Sequence, residues 1–251
     1  MISRHFISQL ATRYQTIEEN IAREYCQHLF LSYFYKKKGS EKFLFKGGTA
    51  LRIVFHSPRF SEDLDFSAIG DHGPDYSEIN RLIDETLGNM EEEGIQTEKK
   101  VNDGTQGETT GGYLTVIKLK MLDFDSEIRL EISFRNPSEV EANTSLVQSE
   151  FTDSYVVTFL TERILVKEKI EALLYRKKPR DFFDLYFISK NPSLVSYIPR
   201  SEIGLKEKLL NALSEVGNLE RELKIFLPVS HQTISKDFSS RLTREIETYF
   251  S

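Results

Sequence analysis

Phe43-Leu44-Phe45-Lys46-Gly47-Gly48-Thr49-Ala50-Leu51 and, after a break at His56-Ser57-Pro58, Arg59-Phe60-Ser61-Glu62-Asp63-Leu64-Asp65-Phe66 are the two segments that decide the fold. The first reads as a short apolar strand that turns through a glycine pair into a helix, since glycine tolerates the backbone of so tight a turn. In the second, Leu64 and Phe66 alternate with Asp63 and Asp65. If the apolar pair plugs a core, the two-residue period of a strand aims both carboxylates at the other face. A carboxylate pair suits a divalent cation, and a glycine turn lets backbone amides approach a phosphate, so together they point to nucleotide chemistry.

Upstream, Phe6, Leu10, Ile17, Ile21, Tyr25, Leu29 and Tyr33 fall at helical spacing. They predict one helix over 4–38, closed by Lys36-Lys37-Lys38-Gly39, where cations suit the negative end of the macrodipole. A helix is expected over 49–55. Downstream, Ile79, Leu82, Ile83, Leu87 and Met90 predict a helix over 76–93, stopped by Gly94. The polar, glycine-rich stretch 102–112 predicts a mobile hairpin loop between strands at 95–101 and 113–122. After a turn at 123–126, residues 127–134 alternate without a break, which predicts a half-buried strand with Glu127, Arg129, Glu131 and Ser133 on its wet face. A strand at 155–159 and helices over 161–177, 179–189, 201–215, 218–226 and 235–250 complete an α+β outline. It comprises a mixed β-sheet with flanking helices over 1–159 and a mostly helical C-terminal half over 160–251.

Bulk composition narrows the function. With 251 residues, 39% hydrophobic and 12% aromatic, the chain can bury an ordered core, and a net charge of −6 excludes a globally basic nucleic-acid coat. The single cysteine, Cys26, forms no internal disulfide and reads as a small buried hydrophobe. No signal-like start and no eighteen-residue apolar run are visible, which predicts a cytoplasmic protein with no membrane partner. His5, His28, His56, His72 and His231 lack ligand spacing, so neither zinc nor a catalytic histidine is expected.

A glycine pair alone is weak, and so is Asp-x-Asp. Glu131, between Leu130 and Ile132 on a separate strand, changes the reading because it could stand beside Asp63 and Asp65. Three carboxylates at such range repel one another, and the cluster persists comfortably only around a cation.

The order Gly47-Gly48-Thr49, Asp63-x-Asp65, Glu131 is similar to the pattern of the nucleotidyltransferase superfamily, with Thr49 where serine is usual. Together with Lys169 and Arg180-Asp181-Phe182-Phe183-Asp184-Leu185, the chain over 43–188 resembles the AbiEii-type nucleotidyltransferase toxins of type IV toxin–antitoxin and abortive-infection systems. The resemblance implies a nucleotidyltransferase-like core with a helical C-terminal part. It implies transfer of a nucleotidyl group from a nucleoside triphosphate to RNA, with the tRNA 3′ acceptor end as the expected target and a cognate antitoxin as a partner. Asp63, Asp65 and Glu131 would hold Mg²⁺, or Glu131 would take the proton of the attacking hydroxyl. Lys46, Gly47, Gly48 and Thr49 would hold the triphosphate, with Ser61, Arg180 and Asp181 also at the nucleotide. Lys169 and Asp184 would be catalytic, Asp184 orienting Lys169 or contacting the donor. Two other readings compete: a GTP- or other NTP-binding regulator without turnover, and a nucleotidyltransferase that modifies small molecules such as antibiotics.

Some of these residues carry plain alternatives. Lys169 lies on the margin of the stripe Ile164, Ile170, Leu173 and Leu174 and could reach a phosphate. Arg180 and Asp184, four apart, would by spacing alone form a surface pair. Arg163, Lys167, Lys169, Arg176, Lys177 and Lys178 against Glu168 and Glu171 make either an RNA grip or a solvated helix face. Ser61 either caps a turn or offers a hydroxyl beside the acids, where phosphorylation would oppose their charge.

Overall fold

The computed structural model describes residues 1–69, 75–102, 112–135, 140–217, 219–235 and 237–250. The chain folds as two compact units. Residues 1–54 and 60–160 make the first, and residues 55–59 and 161–251 the second.

The first unit is built on a seven-stranded mixed sheet in the order β3-β4-β5-β2-β1-β7-β6. Its strands are β1 (Phe43–Lys46), β2 (Leu64–Ile69), β3 (Gln96–Asn102), β4 (Tyr113–Met121), β5 (Phe124–Arg135), β6 (Ala142–Val147) and β7 (Tyr155–Leu160). The alternation in β5 does what its pattern demands, burying Ile128, Leu130 and Ile132 at 1% exposure each. Those residues share a face with Leu64 and Phe66 of β2 and Phe45 of β1, and this apolar face is the core. Helices α1 (Arg4–Tyr14), α2 (Glu18–Phe34), α3 (Gly47–Ile53) and α4 (Tyr76–Glu92) belong to the same unit. Asp75 caps α4 by accepting from the backbone of Ser77 and Glu78, and Ile79, Leu82, Ile83, Leu87 and Met90 form its buried stripe.

The expected single helix over 4–38 is two. Gln15 closes α1 in the left-handed conformation, its N–H turned back onto the carbonyls of Ala11 and Thr12, and α2 starts afresh at Glu18. Ile17, placed in the apolar stripe by its spacing, is 52% exposed as a result. The β4–β5 turn is also tighter than expected, with only Leu122 and Asp123 between the paired Met121 and Phe124. Strand β6 was not anticipated; it is a polar edge strand paired antiparallel to β7. The middle of the expected mobile loop, 103–111, lies outside the described residues.

The second unit contains α5 (Glu162–Arg176), α6 (Pro179–Lys190), α7 (Leu205–Glu215), α8 (Leu219–Leu223), α9 (Gln232–Ser235) and α10 (Phe238–Tyr249). Pro179 opens α6 where its missing N–H costs nothing. Asp184 on α6 is 1% exposed, so it is no surface pair of the kind that spacing alone suggests; it sits in a buried triad with Arg59 and Lys169. Arg59 grips the carboxylate with both arms, Nε to Oδ1 at 2.9 Å and Nη2 to Oδ2 at 3.0 Å, while Lys169 of α5 donates to Oδ2 at 2.7 Å. Burial alone would raise the Asp184 carboxyl, but the charges of Arg59 and Lys169 outweigh it and hold the group below the usual carboxylate range. Among the described residues no helix is long and apolar enough to cross a membrane.

Removing Arg59 leaves a buried carboxylate with one partner. We expect Arg59→Ala to cost about 3–5 kcal/mol in urea unfolding. The depressed folded pKa also fixes a sign. The stability Asp184 contributes is complete above its unfolded value of about 3.9 and is lost as pH falls through the lower folded value. Asp184→Asn should therefore flatten the acid limb of the stability profile.

Candidate functional site

Two registers assemble the site. Antiparallel pairing of β1 with β2 sets Lys46 opposite Asp65, and parallel pairing of β2 with β5 sets Asp65 opposite Glu131. Residues opposite one another share a face, so Lys46, Asp65 and Glu131 form a row across three adjacent strands at a spacing of about 4.8 Å. One pleat along, Ser67 stands opposite Ser133. The Lys46 ammonium donates to the Ser133 hydroxyl at 2.8 Å, and that hydroxyl lies 3.2 Å from Ser67 Oγ. Neither serine was singled out in the sequence. Alternation put Ser133 on the wet face, but its link to Lys46 depends on strand order.

The glycine turn is shaped by the acid beside it. Gly47 has φ +80°, and a Cβ there would collide with Asp65 Oδ2, so glycine is required by both the backbone and the space. The helix α3 starts at Gly47 itself, earlier than expected. Thr49 is fully buried, and its hydroxyl donates to the backbone carbonyl of Asp63. That hydroxyl ties α3 to the acidic loop. The loop is further held by Gln27 of α2, which donates to the Ser61 carbonyl at 3.0 Å, while Arg23 stands 3.5 Å from Glu62 without a hydrogen bond to it.

The register brings Asp65 and Glu131 to one face, with Asp63 two residues earlier. Yet among the described residues no group of three or more histidine, cysteine, aspartate or glutamate side chains is gathered tightly enough to hold a metal ion. The expected convergence is one of backbone positions: the Asp65 carboxylate packs on Gly47 and Glu131 turns toward Arg129 at 3.7 Å. Like charges at bonding range repel, and each acid here has its own neighbour. As a donor set, three carboxylates suit a hard divalent cation.

In the helical unit the expected site residues are mostly engaged. Lys169 is 10% exposed on the Asp184 carboxylate, so Asp184 orients the lysine and is itself out of reach of solvent. Asp181 is 1% exposed, accepts from Arg176 at 2.7 Å, and leaves Oδ2 unpaired; Arg180 is half-buried. Of the cationic run, Lys167 pairs with Glu171, Lys169 with Asp184, Arg176 with Asp181 and Lys177 with Glu215. Three of these cations are hydrogen-bonded to their acids, and Lys167 stands 3.8 Å from Glu171. Arg59, which the sequence did not mark, is the residue that completes the triad.

The histidine and cysteine chemistry is muted. Burial, with help from Arg52, pushes His28 down to about 3, so the ring is neutral at Nδ1 against the Tyr155 hydroxyl. Burial pushes the Cys26 thiol up to about 12, which keeps it unreactive. His72 lies outside the described residues.

Two glycines separate backbone strain from crowding. Gly204 shares the positive φ of Gly47 but has open space around its Cβ position. Gly204→Ala should cost only backbone strain of about 1–3 kcal/mol, and Gly47→Ala should cost clearly more, because it must also displace Asp65. Equal unfolding energies would show that the acid yields freely.

The fold is shared with solved structures. A presumptive nucleotidyltransferase from H. pylori matches with TM-score 0.59 at 19% identity, covering 93% of this chain and 95% of that one. JHP933 from Helicobacter pylori matches with TM-score 0.58 at 18% identity, covering 93% of each chain. No curated protein matches the sequence. The family model described as nucleotidyl transferase AbiEii toxin, type IV TA system, matches residues 29–247, a span that contains the glycine turn, all three strand and loop acids and the buried triad. The chain therefore belongs to the AbiEii family of nucleotidyltransferase toxins of type IV toxin–antitoxin systems.

Proposed function

We propose that this nucleotidyltransferase uses Mg²⁺ and a nucleoside triphosphate to modify the 3′ end of an RNA, the tRNA acceptor end first among them. The observation that carries the reading is the row Lys46–Asp65–Glu131 beside the Gly47 turn. Asp63 and Asp65 are the carboxylates that would hold the cation, and the ion would supply charge neutralisation at the phosphates. Lys46, aimed along the same face and steadied by Ser133, offers an ammonium to the triphosphate, and the Gly47-Gly48 turn offers space without side chains.

In the transfer step the acceptor hydroxyl oxygen bonds to the α-phosphorus, the bond from that phosphorus to the β-phosphate bridging oxygen breaks, and pyrophosphate leaves. The hydroxyl proton passes to Glu131, whose side chain is 45% exposed and free of a close hydrogen-bonded cation, so it can meet solvent-borne substrate. Lys169 and Asp184 enter as a coupled pair. Asp184 fixes the ammonium, so Asp184→Asn and Lys169→Gln should lower turnover together, and non-additively.

The test is transfer of label from each α-labelled triphosphate to total tRNA, with pyrophosphate counted in parallel. Wild type should label RNA and release pyrophosphate equally, and Asp65→Ala should lose on the order of 10³-fold in rate. Triphosphate binding with neither product would favour the regulatory reading. Label passing to small hydroxylated acceptors in competition with tRNA would favour the small-molecule reading. Residual transfer by Asp65→Ala at the wild-type rate would remove the acids from the chemistry.

A further inference from the structure

The paired helix face leaves open what would receive the acceptor, and the sheet unit contains a cleft for it. A cleft of about 860 Å³ has Glu62 and Asp63 at its edge, Arg23 from α2, Lys118 and Lys120 from β4 and Arg129 from β5. Its strands, β3, β4 and β5, lie on one side of β2 in the sheet, and β1 with the glycine turn lies on the other. Asp63, leading into β2, lines the cleft, and its carbonyl is tied to Thr49 of the helix that begins at the glycine turn. Phosphoryl transfer requires the nucleophile to enter roughly in line with the departing group. With the triphosphate on the glycine-turn side, the acceptor hydroxyl enters from the cleft side.

The lining says what kind of acceptor fits. Among the described residues Leu119 is the sole apolar side chain on it and no aromatic ring is there, so bases find no stacking platform. The cations are loosely held: Arg23 to Glu62 at 3.5 Å, Lys118 to Glu98 at 3.8 Å and Arg129 to Glu131 at 3.7 Å. The Arg23 Nη1 contacts are long, 3.4 Å to Asn20 Oδ1 and 3.5 Å to Glu62, so a phosphate reaching that end of the guanidinium replaces weak partners. Lys118 and Lys120 are two apart on one strand, hence on one face and about 6.8 Å apart along it. Among the described residues the same walls carry five acids, Glu62, Asp63, Glu98, Asp125 and Glu127, against those four cations, so the lining opposes a long polyanion or a duplex and leaves room only for a short backbone segment at the cations.

We infer that this cleft seats the 3′-terminal segment of a single RNA strand through its sugar–phosphate backbone, with the terminal hydroxyl at the end of the cleft where Arg129 of β5 leads to Glu131 two residues on, and the preceding phosphodiesters on Arg23, Arg129 and the Lys118–Lys120 pair. The inference rests on the RNA-acceptor reading above and adds to it the place and mode of binding: sequence-independent, end-on and without base stacking.

The experiment uses the full chain with the same label-transfer assay, plus direct RNA binding over a series of salt concentrations. Lys118 and Lys120 are exposed, so Lys118→Gln/Lys120→Gln should fold normally; Arg23→Gln serves as the second variant. We expect the KM for RNA to rise about tenfold or more with kcat less affected, and triphosphate binding by calorimetry to stay at the wild-type value. The slope of log affinity against log salt should lessen by roughly 0.7 for each phosphate no longer neutralised, so by about 1.4 in the double variant. Wild-type RNA labelling together with unchanged KM and salt slope in both variants would overturn the cleft assignment alone. Failure of wild type to label any RNA would overturn the acceptor reading and the inference with it.

Discussion

A carboxylate oxygen of Asp65 occupies the space that a Cβ on residue 47 would fill, and the rest of the site follows from that close approach. It locks the end of β1 against the start of β2, which sets Lys46 opposite Asp65. Because side chains alternate, a slip of one residue would turn Asp65 into the core and Leu64 or Phe66 into water. The register is thus enforced twice, by the missing side chain at Gly47 and by the buried Leu64 and Phe66. Parallel pairing then carries the row to Glu131, and the Ser67–Ser133 step behind it steadies the Lys46 ammonium.

How much of this was legible depended on how local the cause was. The strand carrying Glu131 announced itself because one of its faces is dry and the other wet, and the glycine turn did so because few residues can replace it. What lies beside what was not legible in the residues themselves. The pairing of β2 with β5 joins residues separated by a helix and a hairpin, and Arg59 meets Asp184 across 125 positions. Spacing on α6 suggested Arg180 as the partner of Asp184, but spacing reports neighbours on one helix and says nothing of a loop packed against it. The break after α1 was silent for another reason. Gln15 adopts a left-handed cap with neither glycine nor proline to mark it, and the apolar period runs on past it. β6 was hidden because an edge strand with mostly exposed side chains has no alternation to show.

The family pattern and the packing agree unequally at the individual residues. Both place Asp65 and Glu131 on one face, and both make Lys46 and Gly47 part of the same corner. They diverge at Thr49, and at Asp184 the packing adds Arg59 beside the lysine that the pattern implies. The Thr49 hydroxyl is bound to the Asp63 carbonyl, so its added methyl group sits in a buried corner, and a side chain of this size there stabilises the acidic loop. Asp184 gives its oxygens to Arg59 and Lys169, and both cations are spent on holding that buried carboxylate.

Charge distribution decides which substrates such a protein can handle. At −6 overall, the chain repels a polyanion at long range, and screening at physiological salt limits that repulsion to about 8 Å. Attraction must then come from cations that are close to the RNA and not already neutralised. The α5–α6 run fails the second condition at Lys169, Arg176 and Lys177, each hydrogen-bonded to an acid. The cations of the β4–β5 cleft meet both conditions better, since their partner acids stand at 3.5 Å or more and a phosphate could displace them without stranding a buried charge. On the RNA-acceptor reading proposed above, an acidic protein built this way gains little from a long RNA and most from a strand end.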